Sequence, residues 1–191
     1  MRVADTIAVA VLYARADSHY KAYPWADVWD AARDARRWPG GAPVVAHPPC
    51  RAWGRLRKFA KPRDDERALA LHAVEQVRRW GGVLEHPALS TLWDEAGLPK
   101  PGNRIDELGG YTIEVDQCHC GHAARKPTWL YVVGCYSLPV LPVAPRAPTH
   151  SVRGGLDSLP GLSKRSREMT PEPFARWLLA IALRSRARRL A

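Results

Sequence analysis

Apolar residues fall in short runs between turn residues, and these runs predict the elements of the chain. The first is Thr6-Ile7-Ala8-Val9-Ala10-Val11-Leu12-Tyr13, a strand that gives way to a polar loop over 14–19. Val28-Trp29 forms a short second strand with Asp27 and Asp30 at its ends. Residues 30–37 make a brief basic helix closed by Pro39-Gly40-Gly41. Ala42-Pro43-Val44-Val45-Ala46 follows, bounded by glycines before it and by Pro48-Pro49 after it. Apolar runs bounded by Gly and Pro read as buried strands, and in an α/β protein as parallel strands covered on both faces.

The next periodic segment is helical. Asp64-Asp65-Glu66 opens it, Arg78-Arg79 closes it, and each charge sign suits its end of the helix dipole. Leu69, Ala73, Val77 and Trp80 form the stripe that faces the core, and Gly81-Gly82 ends the helix. Val83-Leu84 then leads into Glu85-His86-Pro87, repeating the earlier order of short strand, polar residue and proline. Strand, helix and strand in this order make a right-handed crossover that brings both strand ends to one sheet edge. Cys50 and Glu85 are therefore expected to be neighbours there, where ligands of such sheets bind.

Residues 90–96 read as a short helix and 99–110 as a loop, with strands over 111–117 and 129–133. The proline-rich stretch 138–148 is extended, and 151–167 is a mobile loop rich in Gly, Ser and basic residues. Thr170-Pro171 starts a last helix, with Phe174, Trp177, Leu178 and Ile181 on its buried face. Arg184, Arg186, Arg188 and Arg189 form its tail, either solvated or lying on phosphate.

Composition narrows the partners. The 191-residue chain is long enough for one domain, and at 46% hydrophobic it supports a real core. A net charge of +10 points to an anionic partner, with nucleic acid first; an arginine-rich coding bias is the competing explanation. No run is long enough to span a bilayer and none has signal-peptide form. With four cysteines outside any disulfide-scaffold pattern, the expectation is a reduced, cytoplasmic protein without membrane attachment.

Cys50 is the candidate nucleophile. Pro48-Pro49 stiffens its approach, the strand end exposes it, and Arg51, Arg55, Arg57 and Lys58 are placed to lower its pKa; a buried, inert thiol is the alternative. Glu85, at a buried strand end, is either a carboxyl of raised pKa able to donate a proton or the partner of an arginine. Residues 53–61 suit phosphate contacts with stacking on a base; equally, they suit a solvated face with Trp53 and Phe59 in the core. Cys118, His119, Cys120 and His122 form a cluster whose spacing is poor for zinc, so no metal site is expected. The zinc-deaminase pattern, the P-loop, the Gly-x-Ser-x-Gly elbow and the His-Glu-x-x-His helix are all missing from the sequence.

Three motifs in order resemble a family. Val45-Ala46-His47-Pro48-Pro49-Cys50 resembles the Pro-Pro-Cys motif of the cytosine-5 DNA methyltransferases, and Leu84-Glu85-His86-Pro87 their Glu-Asn-Val motif in its Glu-Asn-Pro variant. Residues 117–130, with Gly121-His122 and Lys126-Pro127-Thr128-Trp129-Leu130, are similar to a segment of small phage and prophage proteins of the same type. The resemblance covers roughly the middle half of the chain. It implies an α/β fold: a single Rossmann-like domain with a mainly parallel sheet and a basic C-terminal helix. Residues 1–150 are then the catalytic core, and 151–191 the loop and helix packed on it.

The resemblance also implies a phage-type DNA-modifying enzyme in the host cytoplasm. Cys50 attacks carbon 6 of a pyrimidine flipped out of double-stranded DNA, Glu85 contacts nitrogen 3, and S-adenosylmethionine gives a methyl group to carbon 5. Tyr13, Asp30 and His47 fall where the cofactor is held; Arg51, Arg55, Arg57, Lys58, Arg125 and Lys126 fall where DNA is held. The chain departs from the family at Tyr13-Ala14-Arg15-Ala16-Asp17, which has no glycine where a Gly-rich cofactor turn belongs, and at His86, where the family has Asn. It has no room for a large target-recognition domain. Two alternatives stand beside this reading. One is a related Cys/Glu enzyme that transfers another group or acts on free nucleotides; the other is a catalytically silent nucleic-acid-binding protein on the same scaffold.

Overall fold

In the computed structural model, residues 8–144, 146–152 and 159–185 are described. The apolar runs form six strands: β1 (Val9–Ala14), β2 (Ala26–Asp30), β3 (Val44–Ala46), β4 (Gly82–Pro87), β5 (Tyr111–Asp116) and β6 (Pro127–Val133). They make one sheet in the order β2-β1-β3-β4-β6-β5. β2, β1, β3 and β4 are parallel to one another, and β6 runs against both β4 and β5. The sheet is thus mixed but mostly parallel in an α/β chain.

Alternation along the strands sends successive side chains to opposite faces. Ala10, Leu12, Val44, Ala46, Leu84 and Tyr131 face α1 (Glu66–Trp80), which contributes Ala70, Ala73, Val74 and Val77. Val9, Val11, Val45, Val83, Leu130 and Val132 meet Phe174, Leu178 and Ile181 of α4 (Glu172–Arg184) on the other face. Helices therefore cover both faces, which is why the strands read as continuous apolar runs rather than alternating ones. Pro171 caps α4, one residue later than a start at that proline would place it.

The crossover from β3 through α1 to β4 forms as expected, with Ala46 paired to Leu84. Gly82, at φ 118, is required there because a Cβ would overlap the Val44 carbonyl. Two segments differ from expectation. The helix expected over 30–37 is only a 3-10 turn, Ala35–Arg37; Asp30 instead folds its own turn by accepting from the Ala32 and Arg33 N–H groups. Part of the loop expected over 151–167 is ordered, with α3 (Lys164–Glu168) following a bridge between Ser151 and Gly161. Residues 153–158 of that loop, and Arg186, Arg188 and Arg189 of the tail, lie outside the described residues. Residues 90–96 contain the short helix α2 (Leu92–Glu95). No helix among the described residues is long and apolar enough to cross a membrane.

Candidate active site

From β1 the chain turns to β2 on one side, then returns to lay β3 on the other. The sheet order therefore reverses beyond the carboxyl ends of β1 and β3, the position where open α/β sheets hold ligands. A cleft of about 1580 Å³ opens there, with Tyr13, His47, Cys50, Glu85, Lys126 and Glu168 in its wall. It exceeds the roughly 300–1,000 Å³ of an ordinary small-molecule pocket.

His47 leaves β3 with its N–H on the Leu12 carbonyl, which ties the motif to β1. After Pro48-Pro49, the Cys50 carbonyl accepts the N–H groups of Trp53 and Gly54. This turn is fastened to the segment after β4, where Thr91 donates its N–H and its hydroxyl to the Trp53 carbonyl. Cys50 is thereby held at the cleft wall, half-buried.

Glu85 is gripped on both oxygens. His47 Nδ1 lies 2.9 Å from Oε2, and Gln117 Nε2 donates to Oε1 at 2.9 Å. Behind His47, Tyr20 Oη is 2.9 Å from Nε2. Behind Gln117, the same amide nitrogen donates to Thr128 Oγ1 at 3.0 Å, and that hydroxyl donates to the Lys126 carbonyl. Thr128 spends its only proton on a carbonyl, so the Gln117 amide must turn its nitrogen towards it and Glu85.

These donors correct the expectation of a raised Glu85 pKa. Burial alone would raise it, but the His47 hydrogen bond and the charges of Lys126, His47 and His86 outweigh that effect, holding the carboxyl down to about 2. Glu85 is an ionised acceptor at rest, paired with His47 rather than with an arginine. The expectation for Cys50 is also reversed. Burial and the nearby Glu85 charge push its thiol up to about 11, against the opposing charge of Lys126. Arg51 does not lower it, because its guanidinium is taken by buried Glu66 at the start of α1.

His86, next along β4, points to the opposite face and is fully buried near Trp93. Neither ring nitrogen makes a well-formed hydrogen bond. Burial holds its imidazole down to about 4, against the pull of the Glu85 carboxylate and the Pro49 backbone.

The three residues placed at the cofactor are otherwise occupied. Tyr13 takes the left-handed conformation, φ 61, at a register shift in β1, and its hydroxyl bonds His72 Nδ1 at 2.7 Å. A tyrosine thus stands in the backbone conformation that glycine adopts most easily. Asp30 Oδ2 pairs with Lys21 at 2.7 Å while Oδ1 holds its own turn, and Asp30 is not in the cleft wall. His47 has both nitrogens engaged. The loop after β1 is clasped to α3 through Arg15 with Glu168 and Arg165 with Asp17. These residues do not fit S-adenosylmethionine in the manner the resemblance implies, for want of a glycine cradle and a free carboxylate.

The candidate DNA-contacting residues divide. Arg51, Arg55, Arg57, Arg125 and Lys126 line the cleft, and Lys58 lines a smaller basin beside it. Arg125 pairs with Asp116 at 3.1 Å, whereas Lys126 Nζ donates to the Met169 carbonyl at 3.5 Å and has no ion pair within 4.0 Å among the described residues. Trp53 is core and fully buried, but Phe59 is exposed, so the two aromatics of this tract separate. Cys118 and Cys120 are buried thiols in a 3-10 turn, and the His122 ring meets the Ala124 and Ser166 backbones. Among the described residues no three His, Cys, Asp or Glu side chains gather as a metal site.

Tyr20 and Gln117 are the residues that sequence reasoning missed. Gln117 carried a faint signal, as an uncharged polar residue at the end of a strand. Tyr20 carried none. No protein-family model, no curated protein and no solved structure matches this chain.

Proposed function

We propose that the protein is a cysteine-dependent nucleic-acid-modifying enzyme of the cytosine-5 methyltransferase type, on a Rossmann-like scaffold, acting on a pyrimidine presented out of its stack. The observation that carries this reading is an ionised glutamate, fixed between His47 and Gln117, in the same cleft wall as Cys50. A carboxylate with fixed oxygens suits the amino group and N3 side of cytosine, whose exocyclic N4 is a donor. The basic cleft wall suits the phosphates on either side.

The covalent step is addition. Cys50 Sγ bonds to carbon 6, the carbon 5–carbon 6 double bond opens, and its electron pair moves through carbon 4 towards N3, which takes a proton. The thiol proton leaves to solvent in the same event and N3 takes one up, while the ionised Glu85 carboxylate accepts from the new N3–H and so stabilises the protonated base. Carbon 5 becomes nucleophilic and takes up a proton from solvent or another electrophile; loss of the original carbon 5 proton and expulsion of Cys50 restore the base. S-adenosylmethionine is the methyl donor implied by the resemblance.

The test follows from the addition step. Cytosine in an oligonucleotide should exchange its carbon 5 hydrogen with deuterated solvent in the presence of the wild-type protein and not with Cys50→Ala. The absence of exchange with both, together with no covalent capture of a 5-fluorocytosine oligonucleotide with S-adenosylmethionine present, sinks the reading. The engaged state of Tyr13 and Asp30 favours one second reading, a nucleic-acid-binding protein without catalysis. Salt-dependent binding that survives Cys50→Ser and Glu85→Gln would then be its signature.

A further inference from the structure

We propose that the turn beyond Cys50 is a binding site for single-stranded DNA, in which Phe59 stacks on an unpaired base and the basin beside it takes the adjoining phosphate. The proposal rests on the nucleic-acid half of the reading above and is independent of the Cys50 chemistry.

Phe59 is 87% exposed although it sits in an ordered 3-10 turn, Arg57–Phe59. Arg57 N–H bonds the Gly54 carbonyl at 3.0 Å, Phe59 N–H the Leu56 carbonyl at 2.9 Å, and Ala60 N–H the Arg57 carbonyl at 3.2 Å. The ring is therefore held out by a hydrogen-bonded backbone. Trp53, the other aromatic of the tract, is buried under the Arg67 guanidinium, 4.1 Å from its ring centroid, and offers no face.

A lone exposed phenylalanine is ordinary on a protein surface. Here its surroundings set it apart. A basin of about 530 Å³ beside the turn is lined by Arg57, Lys58, Arg63 and Arg67 with a single carboxylate, Asp64. Arg63 and Arg67 also have ion-pair partners, Asp65 and Glu95, while Lys58 has no ion pair among the described residues. Arg57 and Arg63 line both this basin and the Cys50 cleft, so positive charge continues from one to the other. An aromatic face between cations that track towards a cleft is the pattern of a strand-binding groove. The flat face of Phe59 can stack only on a base that has left its own stack, which favours a single strand over a duplex.

Fluorescence anisotropy with the full chain tests this, using a labelled oligodeoxynucleotide of about 12 nucleotides and the same sequence as a duplex. The single strand should bind more tightly than the duplex. Phe59→Ala should weaken single-strand binding by about tenfold, and Phe59→Trp should restore it. Arg57→Gln with Lys58→Gln should flatten the logarithmic salt dependence by about 0.7 for each phosphate that is no longer neutralised. Phe59 buries almost nothing, so its variants should melt with the wild type. Equal binding by Phe59→Ala, equal affinity for duplex and single strand, or no binding by the wild type would each overturn the proposal. Phe59-dependent binding without carbon 5 exchange would sink only the enzymatic reading.

Discussion

His47 Nδ1 lies 2.9 Å from Glu85 Oε2, and the two residues sit side by side where adjacent parallel strands β3 and β4 end. Because an ionised carboxylate only accepts hydrogen bonds, Nδ1 must carry the proton. The expected tautomer of neutral His47 is therefore Nδ1–H, with Nε2 accepting from Tyr20. Nitrogen-15 chemical shifts of the imidazole should show this in the wild type, and Tyr20→Phe should release Nε2 without unfolding the protein. An Nε2–H tautomer would contradict the assigned network.

The same network predicts a graded loss of carbon 5 exchange. Glu85→Gln removes the negative charge that stabilises the protonated base, and its exchange rate should fall by about 100-fold or more. Gln117→Leu keeps the carboxylate but removes one of its donors, so it should lose less and show an altered pH dependence. Equal losses in both variants would indicate that Gln117 acts only through folding.

Stability should fall with acid in two successive, overlapping windows. His86 has its folded pKa lowered from 6.5 to about 4, so below pH 6.5 the unfolded chain takes up a proton that the folded one refuses. That contribution, about 3 kcal/mol, is complete above pH 6.5 and is lost as the pH falls to about 4. Glu85 has its folded pKa lowered from 4.5 to about 2, so its contribution is complete above pH 4.5 and is lost between there and about 2. Chemical denaturation across pH should show His86→Asn flattening chiefly the upper window and Glu85→Gln chiefly the lower one, each with a smaller change in the other because the two charges act on each other.

Gly82→Ala should cost about 3 kcal/mol or prevent folding, since the new Cβ meets the Val44 backbone at φ 118. Gly97→Ala, at φ 61 but with open space around it, should cost about 1 kcal/mol. Denaturant midpoints of the two variants would separate steric overlap from backbone strain.

The core was legible in the sequence because it is built from runs with one meaning. Val44-Val45-Ala46, the Leu69 to Val77 stripe, Gly81-Gly82 and Val83-Leu84 leave little choice but a crossover, and that crossover brings Cys50 and Glu85 to one cleft. The charge states were not legible. Glu85 is ionised because His47, 38 residues away in sequence, bonds it and Lys126 lies near it, while Gln117, 32 residues away, fixes its other oxygen; no local pattern encodes such contacts. Asp30 falls where the resemblance expects a ribose contact, but a short turn and Lys21 take its oxygens. Tyr13 hides a left-handed backbone that the sequence alone would assign to glycine.

The central claim is that Cys50 adds to carbon 6 of a pyrimidine. Mass spectrometry of a cytosine-containing single strand in deuterated buffer measures it most directly, because the addition activates the carbon 5 hydrogen without any methyl donor. Deuterium should enter carbon 5 with the wild-type protein and remain at background with Cys50→Ala, while both bind the strand alike. Background exchange with wild-type protein at saturating strand, or undiminished exchange with Cys50→Ala, would contradict the account.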